Sequence, residues 1–280
     1  MISRNAHRYP ISALCRCLGI TRSLYYYHLN QNQKKKDEEL GKEIKEVFEQ
    51  NRRVYGCRKI KALLQRKGKR VSKRRICRIM KDQGLRALLG KKRPTRVKSK
   101  PNEAETPNIL DRRFDDQEQY AAVVSDLTYV RVGSKWNYMC ILLDLHNREI
   151  IGYSVGTQKD AKLVYEAFAS VSIPLNRLQL FHTDRGNEFD NRLIDEMLQT
   201  FQIQRSLSKK ACPYDNAVAE ATFKLIKAEF VNHYKFENLG QLRIMSRDYI
   251  HWFNNIRIHS SLGYLSPVEF RKPFDVTESK

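Results

Sequence analysis

The 280-residue chain contains no apolar run near the roughly 18 residues that a bilayer-spanning helix needs, and no signal-peptide pattern at its start. Those two absences point to a cytoplasmic protein. None of the six cysteines (Cys15, Cys17, Cys57, Cys77, Cys140, Cys212) belongs to a C-x-x-C pair, and His7 and His28 stand at no zinc-site spacing from them. A structural zinc is therefore not expected, and the thiols read as reduced and mostly buried. No internal repeat of fixed period stands out. The first hundred residues also lack acid: they hold 7 Asp+Glu against 30 Lys+Arg, whereas residues 101–280 hold 24 against 22. The net charge of +21 thus lies wholly in the amino-terminal third. Such a distribution is the electrostatic footprint of a nucleic-acid-binding module joined to a near-neutral body. A merely solvated basic surface is the competing explanation. With 41% apolar and 10% aromatic residues the chain can build a core, which excludes a disordered basic tail.

Residues 9–28 outline a helix-turn-helix within a module spanning 1–33. Ile11, Leu14 and Leu18 form one short apolar stripe, Gly19 breaks it, and Thr21 can cap a second helix bearing Arg22 and three tyrosines. A plain helical hairpin is the alternative. Residues 31–36, with three consecutive lysines, read as a solvated joint. A second module over 37–90 then shows three helices. One runs from Asp37 to about Gln50 with Leu40, Ile44, Val47 and Phe48 inward. The others lie near 56–66 (Ile60, Leu63, Leu64) and 72–83 (Ile76, Ile79, Met80), with Ser72 as cap and Gly84 as terminator. Arg52, Arg53, Arg58, Lys59, Arg74, Arg75 and Arg78 stud this module and are its candidate DNA contacts.

Residues 91–119, basic and then polar with Pro94, Pro101 and Pro107, read as an extended linker. From Tyr120 to about residue 275 the pattern becomes α/β. Three strands (about 121–130, 136–145 and 149–155) form an antiparallel meander. A helix capped by Asp160, a strand at 178–181, a helix at 189–200, a strand at 202–207 and two further helices follow. Five strands in this order describe a mixed sheet of the ribonuclease H type, preceded by small all-α modules.

The stretch Pro213-Tyr214-Asp215-Asn216-Ala217-Val218-Ala219-Glu220 opens a helix, with Asp215 or Asn216 as cap. Ala219, Phe223, Ile226 and Phe230 make its packing stripe, while Glu220, Lys224 and Lys227 share another face. Asp126 lies inside the first strand, where a charge is costly unless paired or metal-bound. Asp184, in His182-Thr183-Asp184-Arg185-Gly186-Asn187-Glu188-Phe189, falls just past the fourth strand, at the edge where α/β sheets collect sites. Carboxylates hold divalent metals and lysines hold phosphates. Singly, each acid also fits a bland role as satisfied polar, turn former or solvated helix residue.

The segments 125–129 (SDLTY), 182–189 (HTDRGNEF), 213–220 (PYDNAVAE) and 254–270 (NNIRIHSSLGYLSPVEF) resemble the DDE transposases of bacterial insertion sequences. The similarity covers about 40–275 and is to the insertion-sequence-three family, relatives of retroviral integrases. It implies an integrase-type catalytic core with Asp126, Asp184 and Glu220 as a metal-binding catalytic triad and Lys227 as a DNA-contacting lysine. It further implies two Mg²⁺ ions about 4 Å apart, with Mn²⁺ able to substitute. The substrates implied are the element's terminal inverted repeats and target DNA, bound by a homo-oligomer. The product would be that of a second reading frame, with an upstream-frame protein or its frameshift fusion as partner; no leucine zipper is visible. Val123 and Ser125 depart from the family's usual tryptophan and threonine. Two other functions stay open: a nuclease or resolvase of the same fold, and a non-catalytic DNA-binding regulator. His259 is expected to be structural.

Overall fold

Helices alone build the amino-terminal unit, Met1–Ala87, one of two into which the computed structural model divides; the other is Leu88–Lys280. The structure describes residues 1–88, 107–115, 117–209 and 212–275. The basic stretch 91–106 of the expected linker lies outside them.

In the first unit, α1 (Ile2–Asn5) and α2 (Ile11–Cys17) lead to α3 (Arg22–Gln50). Gly19 takes the left-handed conformation (φ 65°), and the Thr21 hydroxyl accepts from Leu24 N–H at 3.2 Å, so the turn and cap form as expected. The inward residue of α2 is Cys15, at 2% exposure, and Leu18 is exposed, which corrects the expected stripe. The expected joint at 31–36 is also corrected: α3 runs through it unbroken. Lysine, glutamine and glutamate are good helix formers, and a charged run solvates a helix without breaking it. α4 (Cys57–Arg66) and α5 (Lys73–Asp82) pack on the second half of α3 through Ile44, Val47, Phe48, Ile60, Leu64, Ile76 and Ile79, all buried. Ser72 caps α5 through Arg75 N–H. Of the six thiols only Cys15 and Cys140 are buried, which corrects the expectation that most would be.

In the second unit, β1 (Ala122–Val132), β2 (Lys135–Asp144) and β3 (Ile150–Gly156) form the antiparallel meander. After α6 (Ala161–Ala169), β4 (Leu180–Thr183) pairs parallel to β1; after α7 (Arg192–Thr200), β5 (Gln204–Leu207) pairs parallel to β4. The sheet order is β3-β2-β1-β4-β5, the ribonuclease H arrangement. Val123, Cys140 and Leu142 meet Leu163, Val164 and Phe168 of α6, with Phe181 and Phe189 stacked edge to face alongside. Gly152 permits the close approach of α6, since a Cβ there would sit 2.6 Å from the Ala167 carbonyl oxygen.

α8 (Ala217–Glu229) and α9 (Leu239–Asn255) follow, and α10 (Pro267–Asp275) is the last element among the described residues. The expected stripe of α8 is buried: Ala219 0%, Phe223 5%, Ile226 0% and Phe230 0% exposed. α10 starts with a reciprocal capping pair between Ser266 and Glu269, with Pro267 in the first helical position. Residues 107–110, placed by sequence in the linker, instead pack on the sheet. Leu110 is buried, and the Ile109 and Leu110 N–H groups both donate to Ser206 Oγ of β5 (2.9 and 3.2 Å).

Candidate active site

Backbone register alone places the first two acids side by side. β1 and β4 pair with Val124 opposite His182, so continuing that parallel register by two residues sets Asp184 beside Asp126. Neighbouring strands lie about 4.8 Å apart. The ladder to β4 covers only Ala122–Val124, and on that side β1 next pairs at Val132, which bridges Phe236, so the stretch around Asp126 has no strand partner there among the described residues. The third acid is brought by α8. The Asn216 side-chain amide donates to the Ser125 carbonyl at 3.2 Å, tying the start of α8 to the residue before Asp126, and Glu220 stands one turn along.

The electrostatics agree with this placement. Burial pushes the Asp126 carboxyl up to about 7 from 3.8, and the charges of Asp184, Glu220 and Glu188 push the same way, against a donated Leu127 N–H at 2.7 Å. Asp184 is raised by burial, then by Glu188 and Glu220, against Gly186 N–H and the ammonium of Lys159. Glu220 forms a surface pair with Lys224 at 3.3 Å. Among the described residues no three acid, histidine or cysteine side chains converge as a ready-made metal site. The acids lie within electrostatic reach of one another without being gathered.

Sequence reasoning missed two members of this cluster. Glu188, 7% exposed, is a fourth carboxylate facing Asp126 and Asp184, and Lys159, just ahead of α6, pairs with it at 2.8 Å. A Cβ at Gly186 would meet the Glu188 carboxylate, which would have to shift to make room. Glu188 lies in a recognised segment but carries no local sign of its place here, and nothing in the sequence singles out Lys159.

The support for α8 differs from expectation at its start. Neither Asp215 nor Asn216 caps it through its side chain. Asp215, 1% exposed, instead accepts from Arg112 Nε (2.7 Å), Asn108 Nδ2 (2.9 Å) and Lys209 N–H (2.9 Å), and those partners hold its carboxyl below the usual range against burial. At the far end Glu229 receives both Arg257 Nε (2.7 Å) and Nη2 (2.6 Å) in a buried fork, with Tyr249 Oη at 3.2 Å. His259 is 7% exposed, edge-on to Phe253 at 4.8 Å and beside Arg257. Asn254 exchanges two hydrogen bonds with Ile150 of β3. The segment 254–270 is therefore scaffold, His259 included.

Lys227 extends from α8 to place Nζ 4.2 Å from the Tyr129 ring centroid; burial lowers its pKa and the nearby Asp126 charge opposes that. In the amino-terminal unit the expected DNA contacts are unequally available. Arg53 pairs with Glu49 (2.6 Å), and Arg75 (2.6 Å) and Arg78 both pair with Asp37. Lys59 lies over the Tyr55 ring. Arg58 and Arg74 are exposed on α4 and α5, and Arg52 sits half-buried in the left-handed turn after α3.

Comparison with known proteins gives this geometry its context. The integrase core domain family matches residues 116–213, a second integrase core domain family matches 220–273, and an HTH-like domain family matches 35–93, downstream of the outline at 9–28. The chain is 31% identical to a 31 kDa protein of insertion element IS600 from Shigella sonnei, over 93% of this chain and 98% of that one. It is 30% identical to the InsK protein of insertion sequence element IS150 from Escherichia coli K12, over 94% of each. The catalytic core domain of HTLV-2 integrase, solved in complex with magnesium, overlays 54% of this chain and 96% of its own, at 14% identity and a TM-score of 0.43. The chain belongs to the integrase-core transposases of bacterial insertion sequences, polynucleotidyl transferases that carry out DNA transposition.

Proposed function

We propose that this transposase cleaves DNA strands at the ends of its insertion element and joins the freed 3′ ends to target DNA, with divalent cations held by Asp126, Asp184 and Glu220. The observation that supports this is the convergence of carboxylates where β1 leaves β4: the register sets Asp184 beside Asp126, and burial first, then the charges of Asp184 and Glu220, lifts Asp126 to about 7. Such a cluster is stabilised by multivalent positive charge. Its donors are all carboxylate oxygens, which suits Mg²⁺, and Mn²⁺ shares that preference. Glu188 is buried with its cation in Lys159 at 2.8 Å, whereas the Lys224 pair on Glu220 is longer and exposed, so the ion-binding role falls to the other three.

When bound, two such ions supply Lewis-acid charge for in-line displacement at phosphorus. The chain's own residues do the rest. Lys227 and Lys224 sit on the helix that carries Glu220 and are placed to hold the phosphates flanking the scissile bond. Lys159 limits how much negative charge the edge presents to incoming DNA. The cations of α4, α5 and the turn at Arg52–Arg53 grip the terminal inverted repeats. A homo-oligomer on DNA and an upstream-frame partner complete the proposed assembly.

The test is incubation of labelled element ends with Mg²⁺. Asp126→Asn is expected to abolish nicking while DNA affinity holds; undiminished nicking by that variant rejects the assignment. Pre-cleaved ends separate joining from cutting alone, and no metal-dependent nicking by the wild type would favour a DNA-binding regulator.

A further inference from the structure

Beyond the acids, β1 continues past the ladder to β4 and turns into β2 at Gly133-Ser134, a hairpin whose tip docks on Phe236 through a bridge from Val132 and the Gly133 N–H at 2.7 Å. One face of this hairpin carries an exposed aromatic pair. Tyr129 and Trp136 are 48% and 51% exposed, and their rings meet edge to face at 5.2 Å. Trp136 lies opposite Arg131 in the ladder, and the Arg131 guanidinium sits 5.2 Å from the Trp136 ring centroid. Lys227 covers the Tyr129 ring from α8, and Lys135 is exposed beside Trp136. Two large aromatics exposed to this degree on adjacent strands have no packing role that explains them. The chain's other tryptophan, Trp252, is 4% exposed.

Their position is specific. Tyr129 follows Asp126 by three residues along β1, about 10 Å, an odd spacing that sets the two side chains on opposite faces of the sheet. Lys227 links the two, since it lies over Tyr129 and within electrostatic reach of Asp126. Aromatic rings interleaved with cations form a platform for unstacked nucleobases: the rings stack on any base and the cations hold its phosphates. A paired base inside a duplex does not offer its face; a base at an opened end does.

We infer that Tyr129 and Trp136, flanked by Arg131 and Lys227, form a stacking platform that captures an unpaired base of the DNA end beside the reacting phosphate. The inference rests on the proposed cleavage site at Asp126, because it places the opened end there. Holding such a base keeps the duplex from re-closing and keeps the strand at the acids.

Fluorescence tests this directly, because Trp252 is buried and quenching on DNA binding reports on Trp136. Full-length protein without metal is titrated with a blunt duplex and with the same duplex carrying a short unpaired tail. Anisotropy of labelled DNA measures total binding in parallel. The tailed duplex is expected to bind more tightly and to quench more strongly. Trp136→Ala should lose the quenching and weaken tailed-duplex binding about 5- to 150-fold, the range for one stacked base, while Trp136→Phe restores most of the affinity. Thermal melting confirms that both variants fold. Tailed DNA that binds without quenching, or a Trp136→Ala protein that keeps its preference for the tail, overturns the inference. Stronger quenching by an RNA of the same sequence overturns its assignment to DNA. Asp126→Asn keeps every platform residue, so its loss of nicking with quenching intact reports on the cleavage site alone. Wild-type quenching without metal-dependent nicking would leave the platform standing and remove the catalytic proposal.

Discussion

Helix α8 carries a carboxylate near each end, and the fold treats the two in opposite ways. Glu229 in the last turn is 8% exposed and is gripped by both arms of Arg257, itself 4% exposed. Glu220 in the first turn has 39% of its side chain exposed, a single flexible lysine at 3.3 Å, and like charges across from it on Asp126 and Asp184. The first arrangement satisfies its charges and fixes the helix; the second leaves repulsion in place. Unrelieved repulsion is expected where charge is to be supplied from outside, and a satisfied pair where only position matters. In the proposed reading, the Arg257 fork anchors one end of α8 while Glu220 at the other end is left for a cation.

The largest effect should come from breaking the scaffold end. Glu229→Ala leaves a buried guanidinium without its partner, and urea denaturation should show a loss of about 3–5 kcal/mol. Replacing both residues at once, Glu229→Leu with Arg257→Met, should recover most of it, since the desolvation cost of both charges disappears as well. A single substitution costing under about 1 kcal/mol would show that the fork is not what anchors α8.

At the reactive end the sign reverses. The folded chain holds a proton on Asp126 up to pH about 7, whereas the carboxyl's ordinary value is 3.8. Between those values the folded state binds more protons than the unfolded one, so metal-free stability should fall as pH rises through the window. Asp126→Asn removes the charge and should stabilise the metal-free protein above pH 7. The gain is on the order of 2 kcal/mol after allowance for solvent at a half-buried group, with a flatter pH dependence of the urea midpoint. A variant less stable than wild type at pH 8 would mean that the carboxylates are not in conflict.

These contrasts were unequally visible in the chain. Asp126 stands out because a charge interrupts a β-rich run, and Asp184 because it falls just past the fourth strand; both signals are local. The α8 stripe and its polar face were legible for the same reason. What escaped depends on residues distant in sequence. Asp215 looked like a helix cap, yet its carboxylate is spent on Arg112 and Asn108, 103 and 107 positions away. Glu188 meets Lys159, and Glu229 meets Arg257, only after the chain folds back. Clustered charge at 31–36 reads as a break in the sequence, yet α3 continues through it, because nothing there, neither proline nor glycine, can stop a helix.

The smallest effect sharpens the comparison most. Lys224 and Glu220 form an exposed pair one turn apart, 77% and 39% exposed at their side chains. Pairs of this kind contribute about 0.3–0.5 kcal/mol, so Lys224→Ala should barely move the urea midpoint. Its consequence should appear on DNA instead: if Lys224 neutralises one phosphate, the salt dependence of binding should lose about 0.9 in log–log slope, similarly for every sequence tested. The two readouts together decide what the lysine is for. A stability loss of about 2 kcal/mol with an unchanged slope would make Lys224 to Glu220 what Arg257 is to Glu229. The two ends of α8 would then both be scaffold, and Glu220 would not be held free for a cation.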